Sequence, residues 1–127
     1  MSDKSFKSFE DLQCWQACRE VRIFITEVVK SYPKEEKYSV VDNMKRAARS
    51  TTQNIAEGFG RFHYKENLQF CYYSRGSLLE TKTWLTKSFR RNLISEEKFK
   101  SLNERLDKNH LKLNAYIKSI GKQVNLK

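Results

Sequence analysis

The sequence predicts an all-α protein, an antiparallel up-down-up-down four-helix bundle. Three observations carry that prediction. The 127 residues include only 4 Gly and 1 Pro, too few for the tight turns of a β protein. Apolar residues recur at three- and four-residue spacing through four long stretches, and no strand-like alternation competes with them. The breaks between stretches are short, so neighbouring helices must reverse direction. The chain, 1–127, is one domain's worth, and 39% hydrophobic residues suffice to fill its core.

The first helix is expected over about 9–32. Ser8 stands where a cap would, and Asp11 three residues on makes an acidic capping box. Cys14, Ala17, Cys18, Val21, Phe24, Ile25, Val28, Val29 and Tyr32 fall on one face. Pro33 stops the helix, and Lys34 to Lys37 form a polar loop. The second helix is expected over about 39–58, aligning Val40, Val41, Met44, Ala47, Ala48, Thr51 and Ile55, with Gly58 and Gly60 at its end. The third runs over about 64–89, and Asn92 begins the next turn. Ser95, with Glu96 and Glu97 behind it, opens the fourth, about 95–121. Phe99, Leu102, Leu106, Asn109, Leu113, Tyr116 and Ile120 are its seam, and Gly121 closes it.

The third helix carries two apolar stripes where a bundle helix needs one. Leu68, Cys71, Tyr72, Leu78, Leu79, Leu85 and Phe89 form the first, and Phe70, Tyr73, Ser77 and Trp84 the second. At 100° per residue the two point in roughly opposite directions. On the first helix Leu12, Trp15 and Ile23 lie off the main face. Leu12, Trp15, Phe70, Tyr73 and Trp84 are therefore candidate self-association residues, unless a twisted bundle buries both stripes. Gly76, mid-helix, suggests close approach of another backbone.

Ser50, Asn54, Glu57, Ser77 and Glu80 lie at intermediate positions and read as a polar network fixing helix register, with Arg46 or Arg49 as a partner for Glu80. The competing reading is a catalytic pair, Glu57 with Glu80. No nucleophilic triad, phosphate-cradling glycine loop or metal quartet accompanies them, so no enzyme is expected. Cys14, Cys18 and Cys71 read as small core residues. A metal site would need further ligands, and the only histidines are His63 and His110. No metal and no cofactor is expected.

The formal charge is +10, with 25 Lys and Arg against 15 Asp and Glu. Residues 61–127 hold 15 of the cations and 6 of the acids, so they present nearly all of the surplus. A protein this basic attracts polyanions, and RNA or DNA is the expected partner. Candidate contacts are Arg46, Arg49, Arg61, Lys65, Lys82, Lys87, Arg90, Arg91, Arg105, Lys108 and Lys112, with Lys98 beside them. Phe62, Tyr64 and Phe89 are open to two uses, packing or stacking on unpaired bases. No run of ~18 apolar residues spans a membrane. Met1 to Phe9 carry Lys4 and Lys7 but no apolar leader, which places the expected compartment in the cytoplasm.

The run Arg46-Ala47-Ala48-Arg49-Ser50-Thr51-Thr52-Gln53-Asn54-Ile55-Ala56-Glu57-Gly58 is followed by Gly60-Arg61. With Gly76-Ser77-Leu78-Leu79-Glu80, Phe9-Glu10-Asp11-Leu12 and Trp15, it resembles the four-helix-bundle family of the 23S rRNA intervening-sequence protein. The resemblance covers about Phe9 to Gly121 and departs at Asp42-Asn43-Met44. It implies a bacterial, cytoplasmic homopentamer. Five copies at +10 would carry +50, a load that a polyanion would offset. A related branch holds accessory variability proteins of diversity-generating retroelements. That branch implies an alternative role, an interaction adaptor for a reverse transcriptase, though the motifs stand closer to the intervening-sequence branch.

Overall fold

The computed structural model describes residues 6–125. The rest of the expected 1–127 domain, Lys4 included, lies outside the described residues. Four α-helices, and no strand among the described residues, make up the fold: α1 Gln13–Val28, α2 Asp42–Phe59, α3 Tyr64–Arg90 and α4 Glu96–Asn125. Contacts across the helix pairs show opposed directions. Between α2 and α3, Arg46 meets Glu80, Ser50 meets Ser77 and Ser74 meets Thr51. Between α3 and α4, Lys82 meets Asp107 and Asn67 meets Tyr116. Between α4 and α1, Asn109 donates to the Ala17 carbonyl at 3.2 Å and Arg105 lies over Phe24.

The core follows the expected faces. Ile25, Val40, Met44, Ile55, Cys71, Leu85, Leu102 and Leu113 are fully buried. The α2–α3 seam holds small residues: Ala47, Ala48, Thr51 and Gly58 are buried on α2 and Ser74 on α3, Thr51 meets Ser74 and Gly58 meets Asn67, so the two backbones run close. Polar groups in it are paired. Ser74 Oγ donates to the Thr51 carbonyl at 2.7 Å, and Thr51 Oγ1 to the Ala48 carbonyl at 2.7 Å. Satisfied in this way, buried hydroxyls avoid the desolvation cost of an unmade bond.

Several boundaries differ from the sequence expectation, each for a physical reason. The first helix is not continuous over 9–32. Ser8 caps a single 3-10 turn, Phe9–Asp11, through the expected capping box, and Leu12 then takes an extended conformation (φ −74°, ψ 126°). That break swings Leu12 into the core, where it is 2% exposed, so it does not lie on the outer face with Trp15. Before α2 the chain is already wound, in a 3-10 turn Lys34–Glu36 and a π turn Lys37–Val41, rather than looped. Gly58 lies inside α2, not beyond its end. An added Cβ there would meet Asn67 Oδ1 at 2.6 Å and Phe70 Cβ at 2.9 Å. Gly121 does not close α4, which continues to Asn125. Nothing lies within 4 Å of a Cβ built on Gly76, so close approach of another backbone does not occur within the monomer.

The α3–α4 turn is as expected at Asn92, whose φ of 60° is the left-handed conformation asparagine tolerates. Its N–H donates to the Phe89 carbonyl and that of Leu93 to the Ser88 carbonyl at 2.9 Å, a Schellman closure of α3. Ser95 Oγ accepts from the Lys98 N–H at 3.2 Å and caps α4.

Candidate nucleic-acid interface

The candidate cations divide by what already holds them. Arg46 reaches Glu80 at 3.1 Å, and Arg91 reaches Glu36 at 3.2 Å. Arg61 sits between Glu57 at 3.1 Å and Glu66 at 3.9 Å while its guanidinium lies over the Phe70 ring. Lys82 pairs with Asp107, and Lys108 with Glu104 at 3.8 Å. Lys87 is seated over the Trp84 ring and Arg105 over Phe24, their charges still facing water. Arg49, Lys65, Arg90, Lys98 and Lys112 are exposed and have no acidic partner among the described residues.

These groups do not converge on one spot. Lys98, Arg105 and Lys112 recur at seven-residue intervals on one edge of α4, ~10.5 Å apart along the axis at ~1.5 Å per residue. Lys65 opens α3 at one end of the bundle, and Arg90 ends it at the other. Ion pairs exposed to solvent hold each other by only about 0–1 kcal/mol. A phosphate therefore competes with them on nearly equal terms, and the paired arginines stay available to a polyanion.

The expected polar network is assembled in part. Ser50 and Ser77 hydroxyls lie 2.8 Å apart, and Asn54 Nδ2 donates to the Ser50 carbonyl and Oγ, each at 2.9 Å. Ser77 Oγ also lies 3.1 Å from the Tyr73 carbonyl, and Arg46–Glu80 extends the line across the seam. Glu57 is not in it; its carboxylate turns to Arg61, one turn further along. Arg46 and Glu57 are eleven residues apart on α2, ~16 Å by the helical rise. Their separate engagement keeps Glu57 and Glu80 from forming a carboxylate pair.

The three cysteines are free and buried, as expected for core residues. Burial pushes the thiols of Cys14, Cys18 and Cys71 from 9.0 up to about 12, leaving them neutral and unreactive. The second stripe of α3 is not opposite the core. Trp84 is half-buried and packs on the core, Phe70 is half-buried beneath Arg61, and Tyr73 is 52% exposed. Tyr72 and Leu79, expected to face the core, are exposed instead. Each sits one residue past a core position, Cys71 or Leu78, and one residue is 100° of rotation. Trp15 is half-buried, edge-on to Phe9 at 5.1 Å. Sequence reasoning missed Arg75, which spans from Tyr72 to Asn114 Oδ1 at 3.1 Å. Its only signal was an isolated cation beside an aromatic.

No helix among the described residues is long and apolar enough to cross a membrane. No curated protein matches the chain. Among solved structures, it is similar to a protein of unknown function from the S23 ribosomal protein family of Bacteroides thetaiotaomicron. The two share 21% identity, with a TM-score of 0.76 over 83% of this chain and 95% of that one. That likeness is one of fold. The sequence pattern of the 23S rRNA-intervening sequence proteins matches residues 10–115, and the chain belongs to that family.

Proposed function

We propose that this chain is a non-enzymatic, basic nucleic-acid-binding protein of the cytoplasm. It assembles into a homo-oligomer, a pentamer on the family resemblance, and grips the phosphate backbone of RNA or DNA. The observation that carries the reading is the cation surplus, 25 Lys and Arg against 15 Asp and Glu, with Arg49, Lys65, Arg90, Lys98 and Lys112 exposed and without an acidic partner among the described residues. The charges are spread along rigid helices rather than gathered in a pocket, which suits recognition of shape and backbone charge over base sequence. The exposed apolar side chains of α3, Tyr73 on one side and Tyr72 with Leu79 on another, support self-association. Protonated cysteines and separated carboxylates support a role without catalysis.

The test is a fluorescence titration of the purified protein against structured RNA, single strands and duplex DNA at two salt concentrations. The expected result is binding that weakens steeply with salt, with a log–log slope set by the number of phosphates neutralised. Removing one unpaired cation, Lys112→Ala for example, should lower that slope by about 1. Absence of binding in dilute buffer, or binding indifferent to salt, overturns the reading.

A further inference from the structure

We propose that the corner between α2 and α3 is a stacking platform for an unpaired base, with Phe62 as its aromatic surface. This rests on the nucleic-acid reading above and names the form of polymer that the corner takes.

The structure separates the three aromatics of the basic half. Phe89 is stacked on Phe99, with ring centroids 4.4 Å apart and planes 9° from parallel. Tyr64 is half-buried and packs against the core. Phe62 is 91% exposed, touching the ring of His63 at right angles with centroids 4.9 Å apart. A perpendicular neighbour holds a ring by its edge contact and leaves a face open to water. At that exposure the ring adds almost nothing to folding, since burial is what stabilises an apolar side chain.

The ring of His63, which Phe62 touches, borders a concave surface whose lining does not include Phe62 itself. A cavity of about 490 Å³ is lined by His63, Tyr64, Lys65, Glu66 and Val124. That volume lies within the ~300–1,000 Å³ range of small-ligand pockets, enough for one nucleotide. Lys65 and Glu66 both line the cavity, so it carries one charge of each sign and does not by itself select base or backbone. Lys65 has no acidic partner among the described residues, and Lys122 is exposed in the last turn of α4, which ends at this corner. Both are placed for the flanking phosphates. Arg61 is clamped by Glu57 and Glu66 and lies on Phe70, which steadies the turn carrying Phe62. A duplex keeps its bases stacked inside and offers this ring nothing; a single strand offers a π-face at every nucleotide.

The experiment compares full-length wild type, Phe62→Ala and Phe62→Trp at one low salt concentration. The probes are a fluorescent fifteen-residue oligothymidylate and a fifteen-base-pair duplex. Phe62→Ala should weaken single-strand binding by about 5- to 150-fold, the usual worth of one stacked base, and leave duplex binding unchanged. Phe62→Trp should restore it, and its added indole fluorescence should be quenched by the oligothymidylate. Matching melting curves keep misfolding apart from lost stacking, because Phe62 supports no core contact. Equal single-strand affinity for wild type and Phe62→Ala overturns the platform while backbone binding stands. So does an equal loss on both probes. Failure of wild type to bind either probe overturns the nucleic-acid reading and the platform with it.

Discussion

The Gly58 Cα faces Asn67 so closely that a methyl group there would stand 3.0 Å from the Asn67 carbonyl oxygen, a backbone atom that cannot turn aside. Gly58→Ala must therefore push α2 away from α3, at about 1–3 kcal/mol of stability. Gly76 is the opposite case. Its added methyl meets nothing within 4 Å, so Gly76→Ala should stabilise the isolated fold by about 1 kcal/mol. Urea midpoints of the two variants, moving in opposite directions from wild type, check both.

Ser50 and Ser77 form a part-buried hydroxyl pair, whereas Arg46 and Glu80 are an exposed ion pair. A double-mutant cycle with Ser50→Ala and Ser77→Ala should return a coupling of about 0.5–1.5 kcal/mol. Glu80→Gln alone should cost less than about 1 kcal/mol, and less still in high salt. A larger effect at Glu80 than at the serines would show that the seam is held by charge.

The cysteines predict a pH response. Their thiols ionise near 9.0 when unfolded and about 12 when folded, so the folded chain binds more protons across that interval. Stability from these groups is complete below pH 9 and falls as pH rises toward 12. The chemical melting midpoint should drop between pH 8 and pH 10.5, and less in Cys14→Ala. Native protein at pH 8 should resist alkylation until denaturant is added.

Tyr73 and Leu12 were expected on one interface but sit in opposite environments. Tyr73→Glu should reduce the mass of the proposed homo-oligomer in light scattering while leaving the melt of the fold near wild type. Leu12→Ala should cost about 2–5 kcal/mol by opening a core cavity, whatever its effect on assembly.

Much of the bundle was legible because a single period governs it. The faces led by Val21 and Ile25, by Met44 and Ala48, and by Leu102 and Leu113 are buried where their spacing put them. What the sequence did not show depends on neighbours that spacing cannot see. The break at Leu12 follows from a local backbone choice within an otherwise helical stretch. Tyr72 and Leu79 were misplaced because adjacent apolar residues blur which row faces inward. The role of Gly58 needs Asn67 beside it, and only the packing of α2 on α3 supplies that neighbour. The same holds for the cations: Arg46 and Arg49 look alike in sequence, yet Glu80 is within reach of the first.

Asn109 breaks a degeneracy that the apolar residues of α4 alone would permit. Its apolar seam repeats nearly every seven residues, so sliding the helix by two turns would keep oil against oil. The amide that donates to the Ala17 carbonyl has one address on α1. Shifted by seven, its place passes to Leu102 or Tyr116, and an amide at the Leu102 place meets an apolar contact with nothing to bond. That interior amide, together with the Asn67–Tyr116 bond on the α3 side, thus makes an out-of-step arrangement of the last helix a worse structure, and that choice aligns the edge row of Lys98, Arg105 and Lys112 in the same way in every molecule.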